Sequence, residues 1–404
     1  MANNGPKLTF VGWLVILLFI AGCGYGAYVL LKAKPILPSG RPASPQASST
    51  PNAPNVQPTG AAVEFGIAYG TEKKKWLQWA VEEYAKTPEG AKTKINLIPM
   101  GSVEGAMAIL SDDTRIHVWS PASAAYKDVF VQEWQFKHGK TPIVREEPLA
   151  LTPMVFVMWQ ERYDAFIAKY QKLDFQTLSQ ALKEPGGWDA IAGKPEWGVL
   201  KFSHTNPNQS NSGIVTLVLL AYDYAKKNAG LTLKDVLQPG FQTWMNGIEN
   251  SVSGMSNSTG NLMRDMVLRG PSTYDVVFVY ENVVIDYLKN AEGRWGSLRV
   301  AYPKANMWNE NPYYVLDAPW ISKEQRKAAD QFADFLISEP IQREALKHGF
   351  RPGNPNVPIR FPESPFTVYA DTGIQIDIGT VCEPPRAEVI NNLLEIWQRG
   401  RSAR

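Results

Sequence analysis

From residue 63 onward the chain alternates short apolar runs with amphipathic stretches. VEFGIAY (63–69) has the form of a strand, and residues 73–86 place Trp76, Ala80 and Tyr84 at helical spacing. INLIPM (95–100) reads as a second strand, and residues 102–110 as a helix with Ser102 as its cap. A third strand over 116–119 runs into Ser120-Pro121-Ala122-Ser123, and a helix follows through Phe136. Alternation of this kind predicts a parallel sheet with helices on both faces. LALTPMVFVMW (149–159) predicts a long apolar strand, broken at Thr152-Pro153 as a crossover between lobes would be. A second alternating block follows: helix 175–182, strand 199–202, helix 214–227, helix 260–268, strand DVVFVY (275–280) and helix 281–289. YYVL (313–316) reads as a return crossover. After it come a helix over 323–338, with Ala328, Phe332 and Phe335 or Leu336 on one face, and another from Pro340 closed by Gly349.

The pattern before residue 61 is different. Residues 8–31 are almost wholly apolar and uncharged, long enough to cross a bilayer, which takes roughly 20 helical residues. They predict a single-pass anchor; lysines flank it on both sides, so placing the globular part in the periplasm or extracytoplasmic space rests on the function read below. Ile20-Ala21-Gly22-Cys23 also fits a lipoprotein signal with Cys23 as the lipidated residue, but apolar residues continue past it through Leu31. Residues 32–60, rich in Pro, Ser, Ala and Asn, hold too few large apolar side chains for a core and predict a disordered, extended tether.

Charge removes one class of partner. Lys and Arg number 41 against 39 Asp and Glu, a net +2, so nothing favours nucleic acid. The two cysteines lie at opposite ends of the chain, so no intrachain disulfide is expected. The four histidines (His117, His138, His204 and His348) show no paired metal spacing, and no Gly-x-Ser-x-Gly or His-Glu-x-x-His occurs. No cofactor and no catalytic residue is expected.

The chemistry concentrates in KFSHTNPNQSNSGIVTLVLLAYDYA (201–225): a short strand, a polar loop and a long apolar helix. A helix starting there leaves its first N–H groups unpaired, with the dipole favouring negative charge beside them. Thr205, Ser210, Asn211 and Ser212 furnish this wall with neutral hydrogen-bonding groups. Thr71, Ser120 and Ser123, and the pair Tyr280-Glu281, follow other strand ends. Each also fits a plainer role, as helix cap, turn residue, core tyrosine or a partner for a lysine. Hydroxyls and amides at a helix start suit an anion or carboxylate. Tyr280-Glu281 and the 13 tryptophans leave a sugar, amino acid or cationic solute open.

Three stretches together resemble the type II periplasmic solute-binding proteins, in the molybdate/sulfate-like branch of bacterial ABC-transporter substrate-binding proteins. They are residues 201–225, DVVFVYEN (275–282), and NPYYVLDAPW (311–320) with its following helix, Ile341-Gln342 and Gly349-Phe350-Arg351-Pro352. The resemblance spans residues 61–358, and Thr71, Ser120 and Ser123 match positions where that family places hydroxyls. It implies an α/β, two-lobed fold with crossover hinge strands. Lobe 1 would be 61–152 with 317–404, including a C-terminal extension, and lobe 2 would be 153–316. Relatives sometimes carry a von Willebrand factor A domain, whose Asp-x-Ser-x-Ser metal motif is missing here.

The expected function is capture of a small solute in an interlobe cleft for uptake or sensing, with a membrane transporter or sensor as partner. The alternative is an envelope interaction module that keeps the fold with a vestigial cleft. The amphipathic stretch AEVINNLLEIWQR (387–399) is expected to pack back on the first lobe.

Overall fold

A computed structural model describes residues 62–291 and 295–402, all within a unit running from Pro58 to Arg404. The single-pass membrane localisation expected from residues 8–31 is corrected: among the described residues no helix is long and apolar enough to cross a membrane. The apolar run itself, Cys23 and the Pro-rich stretch lie outside the described residues.

The strands of the first half are β1 (Val63–Tyr69), β2 (Thr93–Pro99), β3 (Val118–Ser120), β4 (Ile143–Pro148), β5 (Ala150–Leu151), β6 (Met154–Trp159) and β7 (Phe202–Thr205). Those of the second half are β8 (Val252–Ser256), β9 (Val276–Tyr280), β10 (Leu298–Ala301), β11 (Ala305–Asn306), β12 (Pro312–Leu316), β13 (Arg351–Pro352) and β14 (Thr380–Val381). Two five-stranded sheets form, β2-β1-β3-β12-β4 and β10-β6-β9-β7-β8, one per lobe. The expected parallel pairing holds for β2-β1-β3 and for β9-β7-β8. Each sheet departs from it where a crossover enters. β12 runs antiparallel to β3 and β4, and β6 antiparallel to β9 and β10. These strands arrive from the opposite lobe, so their direction is set by the crossing and not by a local helical return.

Period-two alternation along β1 explains the helical layers. Phe65, Ile67 and Tyr69 face a core shared with Trp76, Leu77, Tyr84 and Phe332, while Ala68 faces Val103, Ile109, Phe130 and Trp134 on the other side. In the second lobe the Asn211–Ala225 helix is apolar almost all round, and everything from Asn211 to Tyr222 is buried. Polar residues cluster in its first turn, where the helix meets the cleft.

The crossovers are pinned to each other. Thr152 and Asn309 exchange backbone hydrogen bonds of 3.0 Å in each direction. Pro312–Leu316 already pairs inside the first sheet, so the return crossing is complete before residue 312.

The C-terminal helix departs from expectation. Ala387–Ser402 buries Val389, Ile390, Leu393, Ile396 and Trp397, the face its sequence marks as apolar. It lies not on one lobe but across both. It packs on Asn211–Ala225 and Pro239–Glu249 of the second lobe, and on the Ala124–Tyr126 turn and the Lys127–His138 helix of the first. Ahead of it, β14 pairs with β11, and Cys382 is buried at 3% exposure. Burial pushes its thiol up to about 11. Cys382 should therefore resist iodoacetamide at pH 8 in the folded protein and alkylate fully in denaturant, as read by peptide mass.

Candidate solute-binding cleft

The C-terminal ends of β1, β3, β7 and β9 meet between the lobes, where open α/β sheets receive their ligands. Asn211, first residue of its helix, joins the parts. Its Oδ1 accepts from Ser123 Oγ of the first lobe at 2.9 Å. Its Nδ2 donates to Tyr280 Oη at 2.9 Å and to Asn309 Oδ1 on the return crossover at 3.1 Å. Ser123 also accepts from the Ala125 N–H, so it caps a turn while reaching across the cleft. Beside Asn211, Ser212 Oγ shares hydrogen bonds with Thr205 Oγ1 (2.6 Å), Thr259 Oγ1 (2.6 Å) and Ser210 Oγ (3.2 Å). Burial pushes the Tyr280 hydroxyl well above its ordinary value, and the nearby Glu72 adds to this, so it stays neutral.

The first lobe contributes a buried ion pair. Lys73 is fully buried, and its Nζ donates to Glu72 Oε1 (2.6 Å), Pro121 O (3.0 Å) and Asn311 Oδ1 (3.1 Å). Desolvation lowers the Lys73 ammonium below its ordinary range, opposed by Glu72.

The lobes stand closed. A Cβ placed on Gly101 of the first lobe would lie 2.1 Å from the Gln209 carbonyl oxygen of the second. One placed on Gly260 would lie 3.2 Å from Thr71 Oγ1. Lys75 and Asp286 pair across the mouth at 3.2 Å. Beneath them lies a cavity of about 310 Å³, with Thr71, Glu72 and Lys75 on one wall and Gly260, Arg264 and Asp286 on the other.

Four buried side-chain atoms around this seam have no hydrogen-bond partner: Thr71 Oγ1, Ser120 Oγ, Ser258 Oγ and Asn282 Oδ1. Ser120 is opposite Tyr69 in the sheet register, and its carbonyl accepts from the Gly70 N–H. Ser258 occupies the N-cap position of the Thr259–Arg269 helix, yet its hydroxyl makes no capping bond.

The structure thus brings Thr71, Ser120, Ser123, Thr205, Ser210, Asn211, Ser212 and Tyr280 to one interlobe region. Glu281 belongs to a different constellation. Its two oxygens accept from Arg351 Nε and Nη2, each at 2.8 Å, and Tyr302 Oη donates to the same carboxylate. Burial raises the Glu281 carboxyl above its ordinary value, opposed by Arg351. Its side chain is spent on this pair and not on the cleft. Sequence reasoning missed Lys73, Ser258, Thr259, Asn309 and Asn311. Asn309 and Asn311 carried a signal: with Asn306 they form an Asn-x-x-Asn-x-Asn run leading into an apolar strand. Among the described residues no group of three or more His, Cys, Asp or Glu is placed to hold a metal ion.

A two-lobed α/β fold with pinned crossovers and a polar seam defines a solute receptor of the type II periplasmic class. The chain belongs to the bacterial extracellular solute-binding proteins, whose family model matches residues 65–351. Members of that family bind small solutes outside the cytoplasm and pair with ABC-transporter permeases. The sulfate-binding protein SubI from Mycobacterium tuberculosis H37Rv has a similar structure, with a TM-score of 0.53 at 14% identity over 80% of this chain and 94% of that one. A periplasmic thiamin-binding protein has a TM-score of 0.59 at 12% identity, over 87% and 99%. Iron-bound HitA from Pseudomonas aeruginosa has a TM-score of 0.54 at 13% identity, over 84% and 99%. These likenesses concern the fold. Among curated proteins none matches the sequence.

Proposed function

We propose that a small polar solute is held at the interlobe seam by Thr71 and Ser120 of the first lobe and Ser258 and Asn282 of the second. The Asn211–Tyr280–Ser123 network would form the floor. The observation that carries this reading is the set of four unpartnered buried atoms. Each such atom costs about 1–3 kcal/mol. A guest taken up as the lobes part and reclose would supply partners to these atoms, so capture and closure would reinforce each other. The groups that meet here are hydroxyls, amides and a paired lysine, which suits binding and release without covalent chemistry. The chain would then hand its solute to an ABC-transporter permease.

Solute at 100 times its Kd should stabilise the protein by about 2.7 kcal/mol, visible as a rise in Tm. The pair Thr71→Val and Ser258→Ala should together weaken binding about tenfold or more, since each removes a hydrogen bond of about 0.5–1.5 kcal/mol. A second reading, an interaction module with a vestigial cleft, draws on Asn211, which is fully paired without a guest. It requires that no oxyanion, sugar, amino acid or metal shift the Tm, with a protein partner recovered instead.

A further inference from the structure

His204 is the penultimate residue of β7, and Glu249 closes the Pro239–Glu249 helix. Both are buried, at 0% and 1% exposure. The imidazole meets an acceptor at each nitrogen. Nε2 lies 2.9 Å from Glu249 Oε1, and Nδ1 lies 2.9 Å from the Thr205 carbonyl oxygen. A neutral imidazole has a single N–H. It would leave lone pair against lone pair, either at the carbonyl or at the carboxylate. The imidazolium satisfies both contacts. The other carboxylate oxygen, Oε2, accepts from Trp397 Nε1 at 2.7 Å, which favours the ionised acid. Trp397 belongs to the C-terminal helix, and Thr205 Oγ1 bonds Ser212 Oγ in the network beside Asn211.

No other charge competes for the pair. β8, β9 and the rest of β7 and of the Pro239–Glu249 helix carry no charged side chain, and the titratable group on β9 is Tyr280. The helices packed around the pair bring Asp223 on Asn211–Ala225, Lys234 and Asp235 on Leu233–Val236, and Arg264, Asp265 and Arg269 on Thr259–Arg269. The C-terminal helix brings Glu388, Glu395, Arg399 and Arg401, with the Arg401 guanidinium 5.5 Å from the Trp397 ring. Among the described residues none of these charged groups bonds to His204 or Glu249.

We infer that His204 and Glu249 form a buried imidazolium–carboxylate pair that positions the C-terminal helix against the strand ending at the cleft. Folding then takes up a proton. In the unfolded chain a histidine sheds its second proton at about pH 6.5, whereas the folded pair keeps it. The stability that the pair adds is full below that pH and is lost progressively above it.

Urea unfolding of the full chain and of Glu249→Gln from pH 5.5 to 8.5 tests this. Glu249→Gln keeps every contact with a neutral imidazole, because the amide nitrogen donates to Nε2 and the amide oxygen accepts from Trp397. Between pH 7.5 and 8.5 the wild-type unfolding constant should rise about tenfold relative to that of Glu249→Gln, the linkage of one proton. Parallel profiles would overturn the charged pair. If Glu249→Gln does not fold, nitrogen-15 spectra of the histidine-labelled wild type at pH 8 decide. One imidazole protonated at both nitrogens is expected, and neutral rings at all four histidines would overturn the pair. Positioning is read separately, by hydrogen exchange over residues 387–402 at one pH. Trp397→Phe removes only the N–H tie and should speed that exchange about three- to tenfold, the range of one hydrogen bond. Exchange at the wild-type rate would overturn the positioning role.

Discussion

Gly101→Val is expected to lower solute affinity about 100-fold while the protein stays folded. Gly101 sits just before the Ser102–Leu110 helix with φ −65 and ψ 151, an extended conformation that valine adopts freely. The substitution therefore strains no backbone. It creates a collision instead: the new Cβ would fall 2.1 Å from the Gln209 oxygen and 3.2 Å from the Asn257 oxygen, both on the second lobe. The lobes could no longer meet as they do in the closed form. If that competent form drops to about 1% of molecules, the apparent Kd rises by the reciprocal of that fraction. Calorimetry on the solute found by the screen gives the affinity. Small-angle scattering should show a variant that fails to compact when that solute is added. An affinity within about threefold of wild type would mean that binding does not need this closed arrangement.

Arg351→Met is expected to cost about 3–5 kcal/mol of stability, the range for removing one partner of a buried ion pair. Glu281 has a fully buried side chain, and Arg351 exposes only 7% of its own. Without the guanidinium, the Tyr302 hydroxyl still donates to the carboxylate but brings no charge to balance it. The same substitution frees the Gln375 and Ile376 carbonyls, to which Arg351 also donates, so the C-terminal extension loses a tether. Urea denaturation should show the loss. Adding Glu281→Gln should recover part of it, because a neutral amide does not demand a counter-charge. A single variant within about 1 kcal/mol of wild type would show that the pair is dispensable.

Local patterns were legible and long-range pairings were not. The Lys74–Tyr84 helix announced itself through Trp76, Ala80 and Tyr84, and all three are buried. The polar turn before the Asn211–Ala225 helix stood out because hydroxyls and amides interrupt an apolar surround, and it does lie at the cleft. Lys73 could not be read this way. It opens the run Lys73-Lys74-Lys75, whose other two members are exposed, and its burial depends on Asn311, 238 residues away. Glu281 looked like a cleft residue because it directly follows Tyr280. A helix begins there, and its carboxylate instead meets Arg351, 70 residues on. The antiparallel crossovers escaped for a related reason: apolar runs such as 154–159 show that a strand exists, not which way its neighbours run.

The Ala387–Ser402 helix touches both lobes. Any swing that separates the halves must slide this helix or strip apolar surface from one side of it, at about 25 cal/mol for each Å² exposed. Such a clasp tilts the resting population toward the shut form. Entry then waits on rare excursions, and departure is slowed by the same barrier. The kinetic signature is a modest association rate joined to a long residence time, so that unloading calls for a docked partner to pry the clasp open.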